Sequence, residues 1–244
     1  MNRRFHVPRL VAGELLLDHV QARHLRDVLR YRAGDAIEVF DNAGQTADAV
    51  IARCDIDAVV ISVDQVRPAA SGPLRLTVAA ATPKGSRADW MIEKLSELGV
   101  STCIPLQTAR TIVHPESGKL QRWQRIATES AKQCKRDDVM RVLPPASLQS
   151  LCTDTRLAGS LRWCLSTAAD TRPAIASLPL PPDASILALV GPEGGWTDAE
   201  LRLLADSGFE SVALTRTILR IETAAVAIAS LVMLAAGIPG KEPT

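Results

Sequence analysis

The 244-residue sequence lacks the marks of several protein classes. Its five cysteines, Cys54, Cys103, Cys134, Cys152 and Cys164, are odd in number, widely spaced and never form C-x-x-C. That excludes a disulfide framework and a cysteine zinc site, and it predicts small buried hydrophobes instead. Of the histidines, His6, His19, His24 and His114, none stands at ligand spacing from another His or a Cys, so no metal is expected. Met1 to Arg4 lead into no apolar segment of the signal-peptide kind, and a cytoplasmic protein is expected. The longest uncharged run, Thr223 to Gly240, has 18 Ala-rich residues and ends in Gly237-Ile238-Pro239-Gly240. A membrane span needs about 20 strongly apolar residues, so a core or interface helix is expected there. Net charge is also scarce: 28 basic against 27 acidic residues leave +1. That excludes coating of nucleic acid by bulk charge but leaves room for a local basic face. With 47% hydrophobic residues the chain is globular rather than disordered.

The length suits one large domain or two small ones. Charge is uneven along it. Residues 1–72 carry 9 basic and 10 acidic side chains, 73–150 carry 12 and 7, and 151–244 carry 7 and 10. The best linker is Val66 to Pro73, where two prolines and a glycine interrupt two β-like runs. Before it, Gln21 to Leu29 reads as a short helix. Ala36 to Phe40, Thr46 to Ile51 and Val59 to Val63 read as strands, with Asp41-Asn42-Ala43-Gly44 as a turn. After it, strands at Leu74–Ala80, Thr102–Leu106, Ser160–Ser166, Ile186–Val190 and Ser211–Leu214 alternate with helices. The helices are Ser86–Leu98 with Ser86 as cap, Lys119–Lys135, Thr197–Ser207 with a Thr197/Glu200 capping box, and Glu222–Ala236. The pattern predicts an α/β domain on a largely parallel sheet behind a small β-rich domain.

Four segments carry candidate chemistry. Gly191-Pro192-Glu193-Gly194-Gly195-Trp196-Thr197 joins a buried strand to a helix. Glycines permit close backbone approach at a strand's carboxyl end. Glu193 opposes a phosphate there, and neither the P-loop nor the G-x-G-x-x-G pattern is present. A cationic or zwitterionic ligand and a plain tight turn both fit. Thr217 to Ala225 sets Arg220 and Glu222 before an uncharged helix, either as an ion pair at the helix start or as charges at a pocket mouth. Lys119 to Arg136 holds Lys119, Arg122, Arg125, Lys132, Lys135 and Arg136 against one acid, Glu129. That is a solvated face or a phosphate-backbone contact, with Trp123 packed in the core. Ala81 to Arg87 sets Lys84 and Arg87 in another strand-to-helix loop. Arg23, His24, Arg26, Arg30 and Arg32 give the first domain a basic helix and turn beside Tyr31.

Taken in order, several segments resemble the RsmE family of bacterial 16S rRNA uridine-N3 methyltransferases, within the SPOUT class. They are His24-Leu25-x-x-Val28-Leu29-Arg30-x-x-x-Gly34-Asp35, Phe40-Asp41-x-x-Gly44, Lys84-Gly85 and Lys94-x-x-Glu97-Leu98-Gly99-Val100. Glu129 to Arg136, Gly191 to Gly195 and Ile218-Leu219-Arg220-x-Glu222-Thr223-Ala224 complete the set. The resemblance implies a SPOUT-type trefoil-knotted α/β methyltransferase domain, residues 73–244, preceded by a PUA-like β-barrel RNA-binding domain, residues 1–70. It implies a homodimer acting on 16S rRNA in the small ribosomal subunit, with S-adenosyl-L-methionine as cofactor. By carry-over, the cofactor lies against Leu165, Ser166, Gly191, Pro192, Glu193, Gly194, Gly195, Leu214, Thr217, Ile218 and Leu219. The expected RNA contacts are Arg23, His24, Arg26, Arg30, Lys84, Arg87, Arg110, Arg122, Arg125, Lys132 and Lys135. The chain departs from the family pattern at Thr215, Thr217, Lys132 to Arg136 and Arg110-Thr111.

Uracil N3 must lose a proton before it attacks a methyl group. Arg220 and Arg136 are the candidates to stabilise charge on the carbonyl oxygens. Glu222 or Glu193 is the candidate proton acceptor. Two other readings stay open: a non-catalytic RNA-binding or ribosome-assembly protein of the same fold, and a methyltransferase of this fold acting on another RNA base.

Overall fold

The computed structural model describes residues 4–68, 74–157, 159–167, 171–177, 180–181 and 183–235. The chain divides into two compact units, Met1–Ser71 with Thr128–Val139, and Gly72–Ala127 with Met140–Thr244. Most of the expected linker, and the last residues of the expected final helix, lie outside the described residues.

The first unit holds β1 (Arg4–His6), β2 (Gly13–Leu16), α1 (His19–Arg23), β3 (Ala36–Phe40), β4 (Thr46–Cys54) and β5 (Val59–Val63). Its five strands form one sheet in the order β1-β3-β4-β5-β2, with β1 and β3 parallel and the other pairs antiparallel. Burial alternates along β4, as a strand with one face on a core requires. Ile37, Val39, Ile51, Val59 and Ile61 fill that core. The expected helix over Gln21–Leu29 instead starts at His19, where the Asp18 carboxylate caps Val20 N at 2.9 Å and Gln21 N at 3.0 Å. It then widens into a π turn over His24–Val28, closed by Leu29 N donating to His24 O and followed by left-handed Arg30 (φ 58°). The strand expected to stop at Ile51 runs on to Cys54 through a bulge at Ile51/Arg53.

The β3–β4 turn is organised by Asp41, which is 2% exposed. Its Oδ1 accepts from Ala43 N (2.8 Å) and Gln45 N (3.0 Å), and its Oδ2 accepts from Leu10 N (3.1 Å). The buried amide of Leu10 and the turn amides of Ala43 and Gln45 thus converge on one carboxylate.

The second unit holds β6 (Arg75–Ala80), α2 (Arg87–Glu97), β7 (Thr102–Gln107), α3 (Ser117–Cys134) as far as Ala127, β8 (Arg141–Val142) and β9 (Ala146–Ser147). It continues with α4 (Leu148–Cys152), β10 (Leu161–Leu165), β11 (Arg172–Pro173), β12 (Ser185–Val190), α5 (Asp198–Asp206), β13 (Glu210–Ala213) and α6 (Ile221–Ala235). All its strands are parallel, in the order β11-β13-β10-β12-β6-β7-β8, with β9 beside β7. The apolar runs of β6 and β12 are buried on both faces, which is why they do not alternate. After β13 the chain turns back, and α6 packs on α2, β6 and β12.

Three local expectations are corrected. Ser86 is already helical (φ −71°, ψ −11°) and its side chain caps nothing. Only Cys103 and Cys164 are buried, where burial pushes each thiol up to about 12, whereas Cys54, Cys134 and Cys152 are half-buried. The last turns of α3 cluster with the first unit, although no break in the α3 sequence marks the change. Helix α3 ends on left-handed Lys135 (φ 62°), a place glycine usually takes. The Thr197/Glu200 capping box is present as expected, and Trp123 is buried with its Nε1 donating to Asp89 Oδ1 at 2.9 Å.

Replacing Asp41 by Ala strands the buried amide of Leu10 and loosens the turn held through Ala43 and Gln45. Each buried unpaired amide costs roughly 1–3 kcal/mol. The expected loss is about 3 kcal/mol in the first unit's transition, read by urea denaturation with an unchanged m value.

Candidate functional site

In a parallel sheet the loops after the strands gather at one edge, and ligands bind there. Because β13, β10 and β12 are neighbours, the loops after them face one another. They enclose a cavity of about 470 Å³. Leu165, Ser166 and Thr167 form one wall, Val190 to Trp196 a second, and Leu214, Thr215, Thr217, Ile218 and Leu219 a third. Leu201, Ile221 and Ala224 complete the lining. Among the described lining residues Glu193 alone carries a charge.

The second wall is held by contacts far apart in sequence. A Cβ on Gly191 would stand 2.8 Å from Trp196 Cε2, so only glycine lets the indole lie there. Trp196 Nε1 donates to Leu165 O at 2.9 Å and ties the β12 loop to the end of β10. Gly195 N donates to Pro192 O at 2.9 Å, closing a turn with Gly195 at φ 69°. Glu200, 9% exposed, accepts from Thr197 N at 2.9 Å and from Ala109 N at 2.8 Å. Thus the capping box of α5 also fixes the loop after β7. In the third wall Thr215 Oγ1 donates to Thr217 O at 2.8 Å. The two threonines that depart from the family pattern therefore close this loop on itself.

Charges cluster behind Glu193. Arg87 Nη1 lies 3.6 Å from Glu193 Oε1 and 3.4 Å from Glu222 Oε1, and Arg87 Nε donates to Lys84 O at 3.3 Å. The Glu222 side chain is only 8% exposed, against 48% for Glu193. Glu222 Oε2 is buried without a hydrogen-bond partner. Arg87 is thus the cation that makes a buried carboxylate tolerable at the start of α6. A small cleft beside the cavity is lined by Thr82, Lys84, Arg110, Pro192, Glu193 and Ile221 among others, so Glu193 stands on the partition between the two spaces.

All eleven residues expected at the cofactor line the cavity. Of the four catalytic candidates, Glu193 is on its rim, Glu222 is buried on Arg87, and Arg220 is exposed on the loop entering α6. Glu222 therefore pairs with Arg87, not with Arg220 as the simplest sequence reading had it. Arg136 belongs to the first unit, with its guanidinium 2.8 Å from Asp138.

The expected RNA contacts are dispersed. His24, Lys132 and Lys135 line a concavity of about 900 Å³ in the first unit, together with Arg4, Glu38 and Asp48. Arg26 and Arg30 line another with Tyr31 and Arg32, where Arg26 also holds Asp27 at 2.7 Å. Arg23 faces Asp27 at 3.7 Å. Arg125 is exposed on α3, and Lys84, Arg87 and Arg110 surround the small cleft and Glu193. The cations of α3 are less unopposed than its sequence reads, because Asp89 lies 2.7 Å from Arg122 and Glu129 lies 2.8 Å from Lys132. Sequence reasoning missed Trp196, Glu200 and the Arg87 pairings. Trp196 carried a signal, as the one large apolar residue in a glycine-rich loop.

Residues 70–233 match an RNA methyltransferase domain, and residues 18–63 match an RNA methyltransferase PUA domain. A ribosomal RNA small subunit methyltransferase E from Synechocystis sp. is 33% identical over 241 residues, covering 91% of this chain and 74% of that protein. Its Bacillus subtilis namesake is 31% identical over 218 residues, covering 84% of this chain and 83% of that protein. A ribosomal RNA small subunit methyltransferase E from Neisseria gonorrhoeae, solved bound to S-adenosyl methionine, superposes with a TM-score of 0.82 at 29% identity, over 94% of this chain and 96% of that one. A methyltransferase from Legionella pneumophila, solved with its bound cofactor SAM, gives a TM-score of 0.84 at 27% identity, over 96% and 98%.

The class is thus an RNA methyltransferase, a parallel-sheet α/β methyltransferase domain preceded by a PUA domain. More narrowly, the chain belongs to the ribosomal RNA small subunit methyltransferase E family.

Gly191→Ala drives a methyl into the Trp196 indole. The expected cost is about 2 kcal/mol, in the range of overpacked cores. Thermal unfolding with tryptophan fluorescence checks it, and the folded-state emission shifts as the bond to Leu165 O is lost.

Proposed function

We propose that this protein binds S-adenosyl-L-methionine in the strand-end cavity and methylates N3 of a uridine in 16S rRNA of the small ribosomal subunit. One observation carries the reading. The cavity joins apolar walls from Leu165, Val190, Leu201, Leu214 and Leu219 to a single carboxylate, Glu193. A nucleoside bearing a sulfonium and an ammonium group fits such a lining, and a phosphate does not. The backbone groups of Gly191 to Gly195 and of Leu214 to Leu219 are the donors and acceptors that would hold it. When bound, the cofactor supplies an electrophilic methyl group.

The remaining chemistry falls to this chain's residues. Uracil N3 gives its proton to Glu193, directly or through one water. Glu193 is preferred to Glu222 because it is half-exposed on the partition, whereas Glu222 is buried on Arg87. The exposed guanidinium of Arg220 stabilises charge on the uracil carbonyl oxygens as the proton leaves. Arg136 is the second candidate for that work. Residues 1–70 form the RNA-binding domain and residues 73–244 the methyltransferase domain, with His24, Lys132 and Lys135 as phosphate contacts. The protein works as a cytoplasmic homodimer. Exposed Ile218 (85%) and Leu234 (72%) support self-association.

The test incubates the purified protein with S-adenosyl-L-methionine and unmodified small subunits, then maps the methylated nucleotide by mass spectrometry. A single 3-methyluridine is expected, and a methyl group on any other base overturns the assignment. Arg220→Ala lowers the single-turnover rate about 100-fold, as loss of one charge-stabilising donor does. An unchanged rate would show that Arg220 has no such role.

A further inference from the structure

Arg110 was expected at the RNA, yet its surroundings are the cavity wall. It follows β7, and in the sheet β6 lies between β7 and β12. Arg110 Nη1 donates to Gly194 O at 2.6 Å and to Trp196 O at 3.4 Å. Its aliphatic stem runs along Gly194, where an added Cβ would stand 3.2 Å from Arg110 Cδ and 3.5 Å from Arg110 Cβ. The preceding residue acts in the same sense, since Ala109 N donates to Glu200 Oε1. Thr108 N donates to Thr111 Oγ1 at 2.8 Å and fixes the turn that presents both. Residues 109 and 110 therefore grip the 194–200 segment at two points, through one guanidinium and one amide.

A phosphate contact makes different demands. It needs positive charge near the RNA backbone, which a Lys ammonium also supplies as a point charge. Both carbonyls of the turn are reached by a single guanidinium nitrogen, Nη1, at the end of a stem one bond longer than that of lysine. A hydrated ammonium on a shorter stem does not reproduce it. The packing of Gly194 against the stem adds a steric requirement that no phosphate contact has.

We infer that Arg110 is a positioning residue for the cofactor, setting the 194–196 backbone as a wall of the cavity rather than contacting RNA. This rests on the cavity being the S-adenosyl-L-methionine site. The test titrates the full chain with S-adenosyl-L-methionine by calorimetry and with small ribosomal subunits by filter binding. The variants are Arg110→Lys and Arg110→Ala. Both are expected to raise the cofactor Kd about tenfold, equivalent to ~1.4 kcal/mol, with small-subunit affinity held within about twofold. A cofactor Kd unchanged in both variants overturns the inference. So does a small-subunit affinity that falls in Arg110→Ala and returns in Arg110→Lys, the signature of a simple charge. Gly194→Ala gives an independent check, because its methyl group displaces the same stem. Its effect on the cofactor Kd should vanish in the Arg110→Ala background, and additive effects would overturn the coupling. If the unaltered protein binds no S-adenosyl-L-methionine, the reading of the cavity itself fails and the inference falls with it. That outcome is distinct from a wild type that binds and variants that match it.

Discussion

The indole of Trp196 occupies the space that a side chain at residue 191 would need, and its N–H holds the carbonyl at the end of β10. Two strand ends are thereby locked at one separation, with the cavity between them. The lock needs a glycine at 191, an aromatic donor at 196 and a turn between them tight enough to bring the ring back. Gly195 at positive φ supplies the turn. A hydrogen bond of this kind contributes about 1 kcal/mol net. Its larger effect is geometric, since it leaves the loop one arrangement rather than several. Glu200 and Arg110 extend the lock from the β12 loop to the β7 loop. Three loops that sequence separates by up to 86 residues then behave as one wall.

Electrostatics at the wall follow from the same economy of parts. One guanidinium, Arg87, serves two carboxylates, of which one is buried and the other faces the cavity. A buried carboxylate without a cation is costly, so the buried member fixes where Arg87 must lie. The exposed member, Glu193, then stands beside a cation that cannot swing away. At the start of α6 the helix dipole also favours negative charge, which adds a modest term for Glu222. The burial of Glu222 and the placement of Glu193 are therefore one fact viewed from two elements.

Much of this was legible in the residues. The apolar runs of β6 and β12 read as buried strands, the Thr197/Glu200 spacing read as a capping box, and Gly191 to Gly195 read as a strand-end loop. Each depends on neighbours a few residues away, which sequence displays directly. The pairings of Arg87 with Glu222 and of Arg110 with Gly194 span 135 and 84 residues. Nothing in the local pattern tells an arginine bound to phosphate from one bound to a carboxylate or a carbonyl. The Ser86 cap failed for a related reason. Ser86 has the residue type and spacing of a cap, but it is already helical and so cannot turn its oxygen toward the amides that follow. Residues 128–139 join the first unit through packing, while the helical period of α3 runs past the junction unbroken.

The excess positive charge of the middle segment takes a different meaning once partners are assigned. Arg122, Lys132 and Arg136 meet Asp89, Glu129 and Asp138, and Arg87 meets two glutamates. Paired cations at a surface present short-range dipoles rather than a broad positive field, and such fields fade within a Debye length. A long-range attraction for any anionic polymer is weakened, while groups that reach a pair closely still feel its orientation. A net charge near zero and a scatter of half-satisfied cations therefore describe the same surface.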